Sequence, residues 1–169
     1  IVLMVYYNSI HAMGIETFCR TAGEAGVDGL IVPDMPPDEA GPLKGPAAAA
    51  GLRLIFLLAP TSTTERRQYV AKESQGFLYY VSLTGVTGSA SLNTNSVQDM
   101  LPRIRKHVKI PVGVGFGIRD AESARSISEV ADAVVIGTRL IQLIESAPEG
   151  QTAQVACDFM RDIRTALDR

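Results

Sequence analysis

The sequence predicts an α/β fold of repeating strand–helix units with parallel strands. Three observations carry that expectation. Short apolar, β-branched runs alternate with stretches of helical period. The runs are apolar at consecutive positions, as in strands covered by helices on both faces. Their starts lie roughly 20–35 residues apart, the size of one βα unit. The 169 residues, 46% apolar and 20% charged, suit one domain with a sizeable core.

In chain order, residues 1–6, 29–32, 52–58, 77–81, 112–114 and 133–136 are the expected strands. After the first, Ile15, Phe18, Cys19 and Ala22 fall at i, i+3, i+4 and i+7, one face of a helix. Residues 39–50 carry Gly41, Pro42, Gly45 and Pro46, so only a short or broken helix is expected there. Ser62 followed by Glu65 reads as a capping box opening the next helix. Asn95 and Gln98 form a weaker version ahead of the face made by Val97, Met100, Leu101, Ile104 and Val108. Asp120 is the expected N-cap of a helix over 121–130. A short segment, 138–145, is stopped at Ala147-Pro148, and a last helix carries Ala156, Phe159, Met160, Ile163 and Leu167 on one face. Six βα units admit two architectures: an open doubly wound sheet, complete as it stands, or a (β/α)8 barrel lacking two units, since a full barrel needs about 250 residues. A strand at residue 1, with no initiator Met and no signal-peptide charge block, leads us to expect further sequence upstream.

Composition narrows the function. Sixteen basic residues against 18 acidic give a net charge of −2 with no long like-charge run, so nucleic acid is not an expected partner. No apolar stretch approaches the roughly 18 residues of a membrane helix. Cys19 and Cys157 form no C-x-x-C pair and fall in apolar-periodic segments, as reduced core cysteines of a cytosolic protein would.

Candidate chemistry sits where strands end. Glycine-bearing turns follow the last three strands: Thr84-Gly85-Val86-Thr87-Gly88, Gly113-Val114-Gly115-Phe116-Gly117 and Gly137-Thr138-Arg139. Glycine lets backbone N–H groups approach a ligand closely, and N–H groups at a helix start favour an anion. A short helix after the last strand, beside such turns, is the usual phosphate site of a barrel; the alternative is that the glycines only make tight turns. None is a dinucleotide or P-loop fingerprint, because Ile118 stands where the third glycine would fall and no Gly-Lys-Ser/Thr occurs. Asp34, in Val32-Pro33-Asp34-Met35-Pro36-Pro37, is the only carboxylate at a strand end; it is either a catalytic or partner-contacting group or the cap of its own turn. His11, in a loop, and His107, at a helix end, read as solvated surface residues. No metal-ligand spacing and no Ser/His/Asp or Cys/His set is apparent. The doublets Tyr6-Tyr7 and Tyr79-Tyr80 end strands, with one tyrosine of each aimed into a barrel mouth or simply buried as an anchor.

Six stretches, 3–8, 32–36, 60–63, 79–88, 114–118 and 135–138, resemble the α subunit of tryptophan synthase in order and spacing along essentially all of the chain. The resemblance implies a (β/α)8 barrel, with residues 1–169 as a single partial domain holding units three to eight. It implies retro-aldol cleavage of indole-3-glycerol phosphate to indole and glyceraldehyde 3-phosphate, without metal or cofactor. Gly88, Gly115, Phe116, Gly117, Gly137 and Thr138 would hold the phosphate. Tyr6, Ile31, Phe116 and Val135 would line the indole pocket, Tyr79 would flank the catalytic group, and Thr87 would belong to the loop that closes the site. Asp34 and Pro36 would face a β subunit, which holds pyridoxal phosphate and joins an α2β2 assembly. The compartment would be cytoplasmic, or the plastid stroma of a plant.

Two departures qualify this expectation. Leu83 stands where some relatives carry a basic residue, so loop closure is expected to differ. The family's acid/base glutamate and its indole-binding aspartate fall upstream of Ile1, so these 169 residues alone are expected to be inactive, and their two open sheet edges to favour poor folding or association. A sugar-phosphate isomerase barrel is the rival enzyme, but the strand ends after residues 58 and 114 lack the aspartates it needs. The non-enzymatic rival is a truncated module that binds phosphate or the β subunit without turnover.

Overall fold

Each expected apolar run contains a strand, and a helix follows it. The computed structural model describes residues 1–81, 94–115 and 117–168. They form two compact units, Ile1–Tyr79 with His107–Pro111, and Tyr80–Lys106 with Val112–Arg169.

In the first unit β1 (Val2–Met4), β2 (Gly29–Ile31) and β3 (Arg53–Ile55) make a parallel sheet in that order. Leu3, Leu30 and Leu54 stand in one row across it. Between β1 and β2 run α1 (Tyr7–Met13) and α2 (Ile15–Glu24), separated by Gly14, whose φ of 87° no β-carbon-bearing residue adopts readily. α3 (Gly41–Ala49) precedes β3, and β4 (Leu57–Leu58) precedes α4 (Thr64–Glu73). Leu30, Leu43, Leu52, Leu58 and Val70 are buried in this core. α2 crosses α3 closely enough that a Cβ on Gly23 would lie 2.6 Å from the Ala50 carbonyl oxygen. β5 (Leu78–Val81) starts here, with Leu78 N–H donating to Pro111 O and Tyr79 N–H to Phe56 O.

The second unit holds α5 (Thr94–Arg105), β6 (Val112–Gly115), α6 (Ala121–Ser128), β7 (Ala133–Val135), α7 (Thr138–Glu145) and α8 (Thr152–Leu167). β6 and β7 pair in parallel, Gly115 beside Val135. α8 packs on α6 and α7. Val97, Leu101, Ile104, Ile127 and Ile163 are buried in this unit.

Six local expectations are corrected. The run 52–58 splits at Phe56 into β3 and β4. Tyr7 does not end a strand but opens α1, and His11 lies in that helix rather than in a loop, its ring 6.1 Å from that of Tyr7. The cap of α4 is Thr63, whose hydroxyl accepts the Arg66 N–H, while the Ser62 hydroxyl accepts from Ala59 N–H. α5 begins at Thr94, so Asn95 falls inside it. Cys157 is exposed, since α8 turns it outward, whereas Cys19 is buried and its thiol is pushed up by burial. α3 is short, as expected, and runs unbroken through Pro46.

At the start of β6 the Asp132 carboxylate accepts the Val112 N–H at 2.7 Å and pairs with Arg105 at 2.8 Å. The Val112 N–H and then the Arg105 guanidinium hold its carboxyl below the usual aspartate range. A depressed folded-state pKa means stabilisation that is present above the unfolded value, about 3.9, and lost as pH falls through the folded one. Asp132→Ala is expected to lower stability by about 1 kcal/mol at pH 7, the pair being partly exposed. In thermal melts the gap from the parent should narrow as pH falls below about 4; a gap that does not narrow there would contradict the assignment.

Candidate functional site

In the first unit, Tyr6 follows β1 as the N-cap residue of α1, with its side chain 66% exposed. Ile31 ends β2 and is buried, as are Val32 and Met35, while Pro36 is half-buried. Asp34 is exposed and does not cap its own turn. Its carboxylate reaches back to the Tyr7 N–H, at 3.0 Å through Oδ1 and 3.3 Å through Oδ2. A negative charge there suits the start of α1, where N–H groups lack partners within the helix. The sequence left no trace of this link, because its ends are 27 residues apart.

Tyr79 and Tyr80 are both buried, and burial raises the Tyr79 phenol above its ordinary value. That agrees with the strand-anchor alternative for this doublet. His11 and His107 are exposed, as expected.

Two glycine turns in the second unit are described, and they differ in what they offer an anion. Gly115 is buried in β6, and Gly117 has φ 75°, a conformation that requires glycine. The helix behind this turn, α6, closes its own start. Asp120 Oδ1 accepts the Ser123 N–H at 2.8 Å, and the Ser123 hydroxyl accepts the Asp120 N–H at 3.3 Å. The Ser123 N–H and then its hydroxyl hold the Asp120 carboxyl below the usual range. This carboxylate already occupies the position an anion would take.

The start of α7 is open. Its cap is Gly137, with no side-chain acceptor for the first-turn N–H groups. A Cβ on Gly137 would meet nothing within 4 Å, so the glycine answers no packing demand within the protein. Thr138 is exposed beside it, and Val135 is 36% exposed at the end of β7. Free N–H groups, a bare cap and no acidic residue in the first turn make α7 the better anion acceptor of the two helices.

Thr87, Gly88 and Phe116, with the turn 84–88 and Leu83, lie outside the described residues. Of the expected site residues that are described, only Val135 lines a cleft of about 630 Å³ walled by Leu140, Met160, Ile163 and Leu167, with Asp132 and Arg164 also on its wall. A second cleft, of about 460 Å³ between α2 and α3, contains none of them. Among the described residues no three His, Cys, Asp or Glu side chains gather as a metal site would require, and no helix is long and apolar enough to cross a membrane.

Asp120→Ala is expected to destabilise the second unit by about 1 kcal/mol, and Asp120→Ser to recover most of that loss. Denaturant melts of the three proteins check it; equal stability of the alanine variant would mean the box contributes nothing.

The model of the tryptophan synthase alpha chain family matches residues 1–165. The alpha chain of Acidovorax ebreus is 55% identical over 99% of this chain, which spans 64% of the length of that relative. The crystal structure of tryptophan synthase subunit alpha from Legionella pneumophila superimposes with a TM-score of 0.88 at 34% identity, over 99% of this chain and 62% of the other. A chain from the tryptophan synthase α2β2 complex of Pyrococcus furiosus superimposes at 0.84 with 31% identity, over 97% of this chain and 66% of the other. The fold is that of part of a (β/α)8 barrel, the expected units three to eight. By sequence and by structure alike, the chain belongs to the tryptophan synthase alpha chain family.

Proposed function

We propose that the protein to which this chain belongs is the α subunit of a tryptophan synthase, with residues 1–169 forming one partial-barrel domain. The reaction is a carbon–carbon lyase step, retro-aldol cleavage of indole-3-glycerol phosphate to indole and glyceraldehyde 3-phosphate. The observation that supports it best is the uncapped start of α7 at Gly137, in a chain matched by the family model over 165 residues. Gly137 and Thr138 hold the phosphate there through backbone N–H groups, together with Gly88, Gly115, Phe116 and Gly117. Tyr6, Ile31, Phe116 and Val135 face the indole ring, Tyr79 supports the catalytic group, and Thr87 belongs to the closing loop.

Cleavage needs one group to protonate the indole ring and another to manage the nitrogen proton. In the family these are a glutamate and an aspartate that match no position in this chain, so the 169 residues bind without turning over. The subunit itself carries no cofactor. Its partner is a β subunit bearing pyridoxal phosphate in an α2β2 assembly, met by the loop of Asp34 and Pro36. The compartment is the cytoplasm, or the plastid stroma of a plant. The same absence of acid/base groups is what favours the second reading, a non-catalytic module that binds phosphate or the β subunit.

Gly137→Asp tests the phosphate assignment. The site is open, so the aspartate carboxylate has room beside the first-turn N–H groups of α7. Affinity for glyceraldehyde 3-phosphate is expected to fall at least tenfold in calorimetry, with thermal stability unchanged or raised. Undiminished affinity would remove Gly137 from the site. Indole release from indole-3-glycerol phosphate by the unmodified chain, well above background, would overturn the assignment of binding without turnover.

A further inference from the structure

Tyr6 lies between two fixed points of the backbone. Its predecessor, Val5, donates its N–H to the Ile31 carbonyl oxygen at 3.0 Å. Its successor, Tyr7, donates to the Asp34 carboxylate at 3.0 and 3.3 Å. Both acceptors belong to the stretch at the end of β2. Tyr6 is 66% exposed, so packing does little to hold the ring, and the backbone it leaves sets the direction of its Cα–Cβ bond and the rotamers open to it. That backbone is extended, with φ −71° and ψ 144°, and turns at once into α1. α1 has seven residues, too few to be stable by its own hydrogen bonds. A charged acceptor on its first N–H is a strong anchor for so short a helix.

We infer that Asp34 is a positioning residue. Its bond to the Tyr7 N–H fixes the Tyr6 backbone relative to Ile31 and so narrows the rotamers through which the Tyr6 ring meets an indole ring. The inference rests on the proposed indole-facing role of Tyr6 and Ile31. It adds to that reading a residue that need not touch the ligand and a physical reason for its place. A side chain ordered only on binding costs about 0.5–1.5 kcal/mol, two- to twelvefold in affinity. By restricting those rotamers Asp34 meets part of that cost within the protein, before the ligand arrives.

The experiment uses the chain with 3-fluorotyrosine at its five tyrosines, the Tyr6 resonance being assigned through Tyr6→Phe. The chain contains no tryptophan, so the fluorescence anisotropy of added indole reports its own binding without background. In the unmodified chain the Tyr6 ¹⁹F resonance is expected to be broader than that of a freely rotating 3-fluorotyrosine side chain and to shift saturably with indole. In Asp34→Ala it should narrow towards that freely rotating limit, with indole affinity down about fivefold and affinity for inorganic phosphate unchanged. Asp34→Asn keeps a carbonyl acceptor for the Tyr7 N–H and should recover most of both, which a purely electrostatic helix cap would not do. It also serves if the alanine variant fails to fold.

Equal indole affinity and an unmoved Tyr6 resonance in Asp34→Ala would overturn the inference and leave Asp34 as a helix cap. If the unmodified chain binds phosphate but no indole, the indole-facing reading fails. The ligand-free spectra still decide the positioning role, because a Tyr6 line unchanged by Asp34→Ala refutes it and a narrowed line upholds it.

Discussion

A strand that must lie parallel to its predecessor cannot reach it by a hairpin; it needs a crossover long enough to bring the chain back to the same end. The rest of this molecule follows from that constraint. The register Gly29 beside Arg53 and Gly113 beside Ala133 aligns strand starts within each unit. Backbone bonds from Asp28 to Ile1, Arg53 to Asp28 and Asp132 to Val112 close the ladders at those starts. With starts aligned, the strand ends of a unit are aligned too, and the turns that leave them gather on one side. Tyr6 and Asp34 therefore meet across 27 residues of sequence. For the same reason the glycines after β6 and β7 belong to neighbouring turns.

The same topology makes helix starts the natural source of positive potential at strand ends. Whether a given start is available depends on one residue. Asp120 spends its carboxylate on the N–H groups of α6, whereas Gly137 leaves those of α7 bare. Two turns of similar glycine content thus differ in kind, one built to be stable and the other to receive. The cost of the parallel arrangement shows at its margins. Among the described residues β1 pairs on one side only, and Val2 and Met4 are exposed there. Such an edge is a template for pairing.

How much of this was legible in the sequence depended on how local the cause was. Asp120 announced its helix correctly because a cap acts over three residues. The α4 cap was misjudged by one position, since Ser62 and Thr63 are chemically alike and only the turn geometry at Ala59 decides between them. The division of 52–58 at Phe56 was invisible, because every residue of that run favours a strand or tolerates one. Cys157 was misjudged because an apolar periodicity in α8 defines a face but not its width. For the site, the glycine turns could be found because backbone freedom is written in residue type. The Asp34 link could not, as an acceptor and donor 27 residues apart leave no periodic signal. The uncapped start of α7 lay between these cases: Gly137 was singled out, but not that its surroundings are empty.

The side-chain links between elements share a property beyond their strength. Asp34 to Tyr7, Asp132 to Val112, Asp38 to Arg66 and Glu73 to Lys44 each join residues 20–29 positions apart, the span of one βα unit. None has to wait for a distant part of the chain. A polypeptide leaving the ribosome N-terminus first, at roughly 5–20 residues per second, brings both ends of each link into the open within seconds of one another. Order of synthesis and order of assembly can then coincide. By the same reasoning a circular permutant opened between α4 and β5 would keep each of these four links local in its new chain order, whereas one opened between α2 and β2 would set Asp34 and Tyr7 far apart.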